Sequence, residues 1–344
     1  MQQKSLLNRN EMPYPASPAV RRAIRNFDLA SAPFYVDGYY GSQLIPFLAR
    51  RFKIPEAQIS TGYGAEFFLR SIFDACDPIK DIVLTNAPHY GFYSIYAKAK
   101  EVRLETFQLT DLGDRFEFDV EDCVRKIKKF HPKVVLITSP NNPTGNSIAP
   151  GDLKKILEAT QAAKKKTLVV LDEAYAGFNE QYDMAVMIGL LKKYEDLVVL
   201  RSLSKRFALA GLRIGFALWG KKAKEIIKYQ DLYLGPSRLL EAVAVAALES
   251  QSYYKKLARN LIREREKFIV EVNKLHSFKA YHSDANFVLV KVAGRVKQKL
   301  ERELAKLPAQ ISKFVMPQFM RVSLGSPKDT QRFIRTLRNV DRVN

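Results

Sequence analysis

The side chains of this chain that could do chemistry concentrate in three short segments. RSLSKRFALAGLRIGF (201–216) sets Ser202, Ser204, Lys205 and Arg213 among apolar runs, TLVVLDEAY (167–175) ends in Asp172 and Tyr175, and KVVLITSPNNPTGN (133–146) carries Asn142. A lysine in a partly desolvated cleft is a usable amine nucleophile that forms Schiff bases with carbonyl compounds. Asp172, at the end of an apolar run, is costly to bury unless a cation faces it, and a protonated pyridine nitrogen is such a cation. Ser202, Ser204 and Arg213 offer hydroxyls and a guanidinium, a phosphate-binding set. Together they predict a segment that grips a phosphorylated aldehyde and bonds to it covalently. Pyridoxal 5'-phosphate (PLP) answers that description.

The positioning elements can be read around these residues. From about residue 60 to 220, β-rich runs alternate with helical stretches: DIVLT (81–85), VRLETF (102–107), KVVLITS (133–139), TLVVLDE (167–173), DLVVLRS (196–202) and RIGFALW (213–219). Several are continuous apolar runs, as expected of strands buried on both faces of a mostly parallel sheet. Between them AEFFLRSIFDAC, VEDCVRKIKKF and GDLKKILEATQAAKKK read as helices. The expected fold class is α/β, a mostly parallel central sheet flanked by helices. Open sheets of this kind bind ligands beyond the carboxyl ends of their strands. Each signal alone has a plainer reading: a helix cap for Asp172, a β-turn for NNPTG. Delivery of Asn142, Asp172, Tyr175, Ser202, Ser204 and Lys205 to one edge by successive strands is what favours a site.

After about residue 236 the texture changes. PSRLLEAVAVAALESQSYYKKLARNLIREREKFIVEVNKLH reads as long helix broken near Ser250–Ser252, followed by short strands (NFVLVKV, MRVSLG) and two helices. That predicts a smaller α+β C-terminal domain over 236–344, a large cofactor-binding α/β domain over 31–235, and an N-terminal arm (1–30) associated with the smaller domain.

Composition narrows the function classes. The net charge of +20 permits nucleic-acid binding, but the lysines fall on amphipathic stretches and no basic tail or finger motif accompanies them, which predicts a solvated surface and no nucleic-acid partner. No apolar run is long enough to span a membrane. The N-terminus lacks the apolar core of a secretory signal. Cys76 and Cys123 predict neither a disulfide framework nor a metal site, with a reducing cytoplasm as the expected compartment.

PNNPTG, LDEAY and SLSKRFALAGLRIG resemble the cofactor motifs of fold type I PLP-dependent aminotransferases, and the chain is most similar to their histidinol-phosphate aminotransferase branch. LNRNEMPYPASP resembles that branch's opening motif, with Met12 where Asn usually stands. The resemblance spans about residues 6 to 340. It implies that Lys205 bonds PLP, Asp172 holds the pyridine nitrogen, and Tyr175 and Asn142 hold the phenolic oxygen. Ser202, Ser204, Arg213 and the backbone amides at Gly64 and Ala65 would bind phosphate, as a helix N-terminus can. Tyr90 would stack on the ring; without the family match an ordinary core tyrosine would be an equal reading. Arg321 in MRVSLGS would grip the substrate α-carboxylate, with Asn142 beside it. Tyr35 in FYVDGYY, followed by Val36 where the family has Pro, would reach the partner subunit's phosphate, which implies a homodimer. The branch's substrate-phosphate arginine has no counterpart; Lys313 lies near that place. The implied activity is transfer of an amino group from a histidinol-phosphate-like or aromatic donor to a 2-oxo acid. Threonine-phosphate decarboxylases share the scaffold and supply the alternative.

Overall fold

The computed structural model describes residues 5–33, 42–163, 165–223, 236–307, 309–311 and 314–342. Tyr35 and Lys313 lie outside the described residues. The strands in chain order are β1 (Ser5–Leu7), β2 (Ile59–Gly62), β3 (Ile82–Ala87), β4 (Arg103–Asp111), β5 (Phe116–Phe118), β6 (Val134–Thr138) and β7 (Leu168–Asp172). They continue as β8 (Leu197–Ser202), β9 (Gly215–Trp219), β10 (Phe278–Ala280), β11 (Phe287–Val292), β12 (Ala309–Ile311), β13 (Phe314–Met316) and β14 (Phe319–Ser323). The helices are α1 (Pro18–Arg25), α2 (Leu44–Phe52), α3 (Ala65–Asp74), α4 (Phe92–Ala99), α5 (Val120–Phe130) and α6 (Pro150–Gln161). After these come α7 (Met184–Lys193), α8 (Arg238–Glu249), α9 (Gln251–Val272), α10 (Gly294–Ala305) and α11 (Pro327–Asp341).

The central sheet has eight strands in the order β2-β9-β8-β7-β6-β3-β4-β5. The run from β8 to β4 is parallel. Its apolar residues alternate between two cores with the period of a strand. Val135, Ile137, Val169, Leu171 and Val199 pack with α5, α6 and α7 on one face. Val134, Leu136, Val170 and Val198 pack with α3 and α4 on the other. Helices on both faces explain why these strands read as continuous apolar runs. The strand β9 differs in direction: it pairs antiparallel with β8 and with β2. A parallel return requires a crossover, usually a helix, and residues 203–214 hold only a short 3-10 turn at Ala210–Leu212. That segment, which carries Lys205, is therefore a loop turning the chain back beside its own strand.

The chain leaves β3 toward β4 on one side and returns as β6 on the other. This reversal puts a crevice beyond the carboxyl ends of β3, β6, β7 and β8.

A second, antiparallel sheet, β10-β11-β14-β13, is covered by α9, α10 and α11. The predicted helix break falls at Ser250, which ends α8 and begins α9. Val243, Ala244 and Ala247 of α8 and Tyr254 of α9 belong to the core of the large sheet, whereas Ala258, Leu261, Phe268 and Val272 of α9 belong to that of the small one. The helix α9 thus runs from one core to the other. Buried Arg265 ties its middle to the segment after β7 and to the turn before β11, donating from Nη1 to the Phe178 carbonyl at 2.9 Å and the Ala285 carbonyl at 3.0 Å. The N-terminal arm joins the same region: β1 pairs parallel with β12, and the Ser17 amide donates to Tyr254 Oη at 2.9 Å.

Candidate active site

Asp172 ends β7 and is 3% exposed. One carboxylate oxygen accepts from the Ala174 amide at 3.0 Å, and the other accepts from Tyr93 Oη at 3.0 Å. Because Tyr93 has a single hydroxyl proton and gives it to Asp172, the contact of 2.7 Å between Tyr93 Oη and Thr138 Oγ1 must be donated by the threonine. Burial pushes the Asp172 carboxyl up to about 6, against the lowering by its two donors. None of the cations among the described residues forms an ion pair with it. The side chain is an acid awaiting a positive partner.

Tyr175, three residues on, sits where two amides converge. Asn142 Nδ2 donates to its Oη at 3.3 Å and Asn10 Nδ2 at 3.2 Å. The orientation of each amide is fixed from behind. Asn142 Oδ1 accepts from Arg321 Nη1 at 2.7 Å, and Asn10 Oδ1 accepts from Ser323 Oγ at 2.6 Å. With both lone pairs of Tyr175 Oη occupied by donors, its own proton is left to point outward as a donor. Asn141 keeps Asn142 in place by bonding away from the site, to the Pro88 carbonyl at 3.0 Å and Thr144 Oγ1 at 2.6 Å.

Lys205 follows β8 and lies half-buried, its Nζ 5.6 Å from the centre of the Tyr175 ring. Nζ donates to the Arg9 carbonyl at 2.6 Å. Arg321, in β14, donates from Nη2 to the Asn8 carbonyl at 2.7 Å. The N-terminal arm therefore crosses directly over the candidate nucleophile and the candidate carboxylate reader. Burial lowers the Arg321 guanidinium from its ordinary value.

The predicted phosphate set also comes together. The Ser204 amide donates to Ser202 Oγ at 3.1 Å, and Arg213 Nη1 donates to Ser204 Oγ at 3.1 Å. Gly64 caps α3 with φ +79°, and a Cβ there would stand 3.0 Å from Arg213 Nη2. Glycine is required by both the conformation and the close approach. The first amides of α3, beginning at Ala65, thus open beside the guanidinium. Tyr90 lies partly buried between Phe92, with ring centroids 5.2 Å apart, and Tyr93, at 5.7 Å. Burial raises its hydroxyl above the ordinary tyrosine range, with Tyr175 the next cause.

The structure thus brings together Gly64, Ala65, Tyr90, Asn142, Asp172, Tyr175, Ser202, Ser204, Lys205, Arg213 and Arg321. Reading the sequence missed Tyr93, Thr138 and Asn10. Tyr93 stands three residues after Tyr90 in APHYGFY, the spacing of one helical face, which was the available signal. Asn10 lies within LNRNEMPYPASP, whose resemblance to the branch's opening motif was the available signal, although its contacts are with residues far along the chain.

The aminotransferase class I and II family matches residues 2–337. Histidinol-phosphate aminotransferase 2 of Archaeoglobus fulgidus is 34% identical over 336 residues, covering 97% of this chain and 92% of its own. The solved histidinol-phosphate aminotransferase of Clostridium acetobutylicum superposes with a TM-score of 0.84 at 24% identity, covering 98% of this chain and 99% of its own. The L-threonine-O-3-phosphate decarboxylase of Porphyromonas gingivalis also shares the fold, with a TM-score of 0.78 at 18% identity over 97% of this chain and 98% of its own. Fold alone does not separate those two chemistries. The sequence match across nearly the whole length does assign the family, and the chain belongs to the class I and II aminotransferases.

Proposed function

We propose that this protein is a PLP-dependent aminotransferase that moves an amino group from a histidinol-phosphate-like or aromatic donor to a 2-oxo acid such as 2-oxoglutarate. The observation that carries the reading is the convergence on one sheet edge of a lysine, a buried acid that pairs with no cation among the described residues, and a guanidinium at a helix N-terminus. The fit to PLP is chemical. Asp172, raised by burial, suits a pyridinium nitrogen, which would restore its charge. Ser202, Ser204, Arg213 and the first amides of α3 suit the phosphate, and the outward proton of Tyr175, with Asn142, suits the phenolic oxygen. When bound, PLP supplies a carbonyl for the amino group and a ring that takes up the electron pair left on the substrate Cα.

The protein's own residues then have separable tasks. Lys205 Nζ would hold the cofactor and, when free, would move the proton at the substrate Cα. Asp172 keeps the ring nitrogen protonated, and Tyr93 holds Asp172 in place. Arg321 would hold the α-carboxylate of the 2-oxo acid, or of an amino-acid donor, with its planar fork. The family resemblance further supports a homodimer in the cytoplasm.

The test is a coupled assay of purified protein with histidinol phosphate, aromatic amino acids or phosphothreonine, each with 2-oxoglutarate. Glutamate formation supports the reading. Carbon dioxide release from phosphothreonine without glutamate would replace it with the decarboxylase reading.

A further inference from the structure

A second cavity, of about 590 Å³, opens between the end of α2, the segment after β7, the loop after β8 and the first half of α9. None of its lining residues belongs to the site above. Its wall is cationic: Arg51, Arg201, Arg206, Lys255 and Arg259 face Glu180 and Asp183. The acids in and behind that wall are already engaged. Glu173, buried behind Arg201, accepts from Arg201 Nη1 at 2.9 Å and from Tyr182 Oη at 2.7 Å. Glu180 lies 3.5 Å from Arg259. Asp183 caps α7, accepting from the Ala185 amide at 2.8 Å. Arg51, Arg206 and Lys255 are left without an acidic partner among the described residues.

Arg206 is the most informative of these. Its Nε is buried and meets no hydrogen-bond partner among the described residues, and its guanidinium sits 5.7 Å from the centre of the Phe207 ring. Burial first, and then the charge of Arg201, pushes it down to about 10. Gly177, at φ +95°, passes so close that a Cβ would fall 2.5 Å from Arg206 Cδ. The chain thus makes room, at a position only glycine fills without strain, for a guanidinium that no carboxylate among the described residues neutralises. Burying a charge without a partner is costly, and like charges beside it add to the cost.

We propose that this cavity is a second anion site, which takes a small molecule carrying a phosphate group on a planar apolar skeleton. Several cations around one hollow suit a tetrahedral dianion better than a single carboxylate, and guanidinium forks bind phosphate oxygens in pairs. A volume of about 590 Å³ exceeds what a bare phosphate fills and falls in the range of small-molecule pockets. Phe52, Phe207 and Phe216 provide the apolar wall for the remainder of the ligand. The bound dianion relieves the repulsion among Arg51, Arg201 and Arg206.

The test titrates phenyl phosphate, and separately inorganic phosphate, into the PLP-saturated enzyme by calorimetry, so that the cofactor already fills the catalytic phosphate subsite. Phenyl phosphate should bind more tightly than inorganic phosphate. Arg206→Gln should weaken it at least tenfold. Since Arg206 adjoins Lys205, two variants at exposed positions, Arg51→Gln and Lys255→Gln, serve as arms that leave the fold intact, and each should weaken binding several-fold. Absence of binding, or binding that both exposed variants leave unchanged, overturns the proposal.

Discussion

Arg321 donates from Nη1 to Asn142 Oδ1 at 2.7 Å, joining β14 of the small sheet to the loop after β6 of the large one. The residue assigned to the substrate carboxylate thereby orients the residue assigned to the cofactor oxygen. A bond between the two sheets is thus part of the site itself. Arg321→Lys should raise KM for the 2-oxo acid at least tenfold, because an ammonium cannot reproduce two parallel hydrogen bonds. It should also weaken PLP binding measurably, since Asn142 loses its orienting donor. Steady-state kinetics and PLP titration check the two effects separately.

Asp172→Asn should retain bound PLP and lose turnover by roughly a hundredfold or more, since a neutral amide cannot hold a proton on the ring nitrogen. Single-turnover absorbance measurements check this.

The same carboxyl should leave a mark on stability. Burial raises it to about 6 from 3.8, so the folded chain without cofactor binds a proton that the unfolded chain has released between those values. The stability this contributes is full below about pH 3.8 and is lost as pH rises through about 6. Relative to Asp172→Asn, the cofactor-free wild type should lose on the order of 3 kcal/mol between pH 4 and 7. Denaturant unfolding of both proteins across that range gives the difference, and parallel curves would show that Asp172 does not titrate there.

Tyr93→Phe removes a donor that lowers the Asp172 carboxyl. The Asp172 carboxyl should then rise further, and the acid limb of the kcat/KM profile should move to higher pH. A pH–rate profile of the variant measures this.

Gly64→Ala places a Cβ at φ +79° and against Arg213 Nη2. PLP affinity should fall at least tenfold while the overall fold persists, as equilibrium dialysis and circular dichroism would report.

Much of this arrangement was legible in the sequence, and the reason is local. Asp172, Asn142 and Lys205 each follow a strand whose apolar run is unbroken, because parallel strands covered on both faces leave no polar position until they end. The direction of β9 was not legible, since RIGFALW reads the same whichever way it pairs. The strands β10, β12 and β13 are three residues each, too short to show a period. Tyr93 lay hidden in an aromatic stretch where side chains look alike until packing separates them. Asn10 reaches Tyr175 across 165 positions of sequence, so LNRNEM could be matched as a motif while the residue it touches could not be read from it.

The central claim is that Lys205 is the residue that holds the cofactor. Borohydride reduction of the purified, PLP-loaded enzyme followed by peptide mapping tests it most directly. The pyridoxyl mass should appear on the peptide containing Ser204, Lys205 and Arg206, with fragment ions locating it on Lys205, and Lys205→Ala should carry none. A label on any other lysine, or an unlabelled Lys205 in a PLP-saturated preparation, would contradict the account.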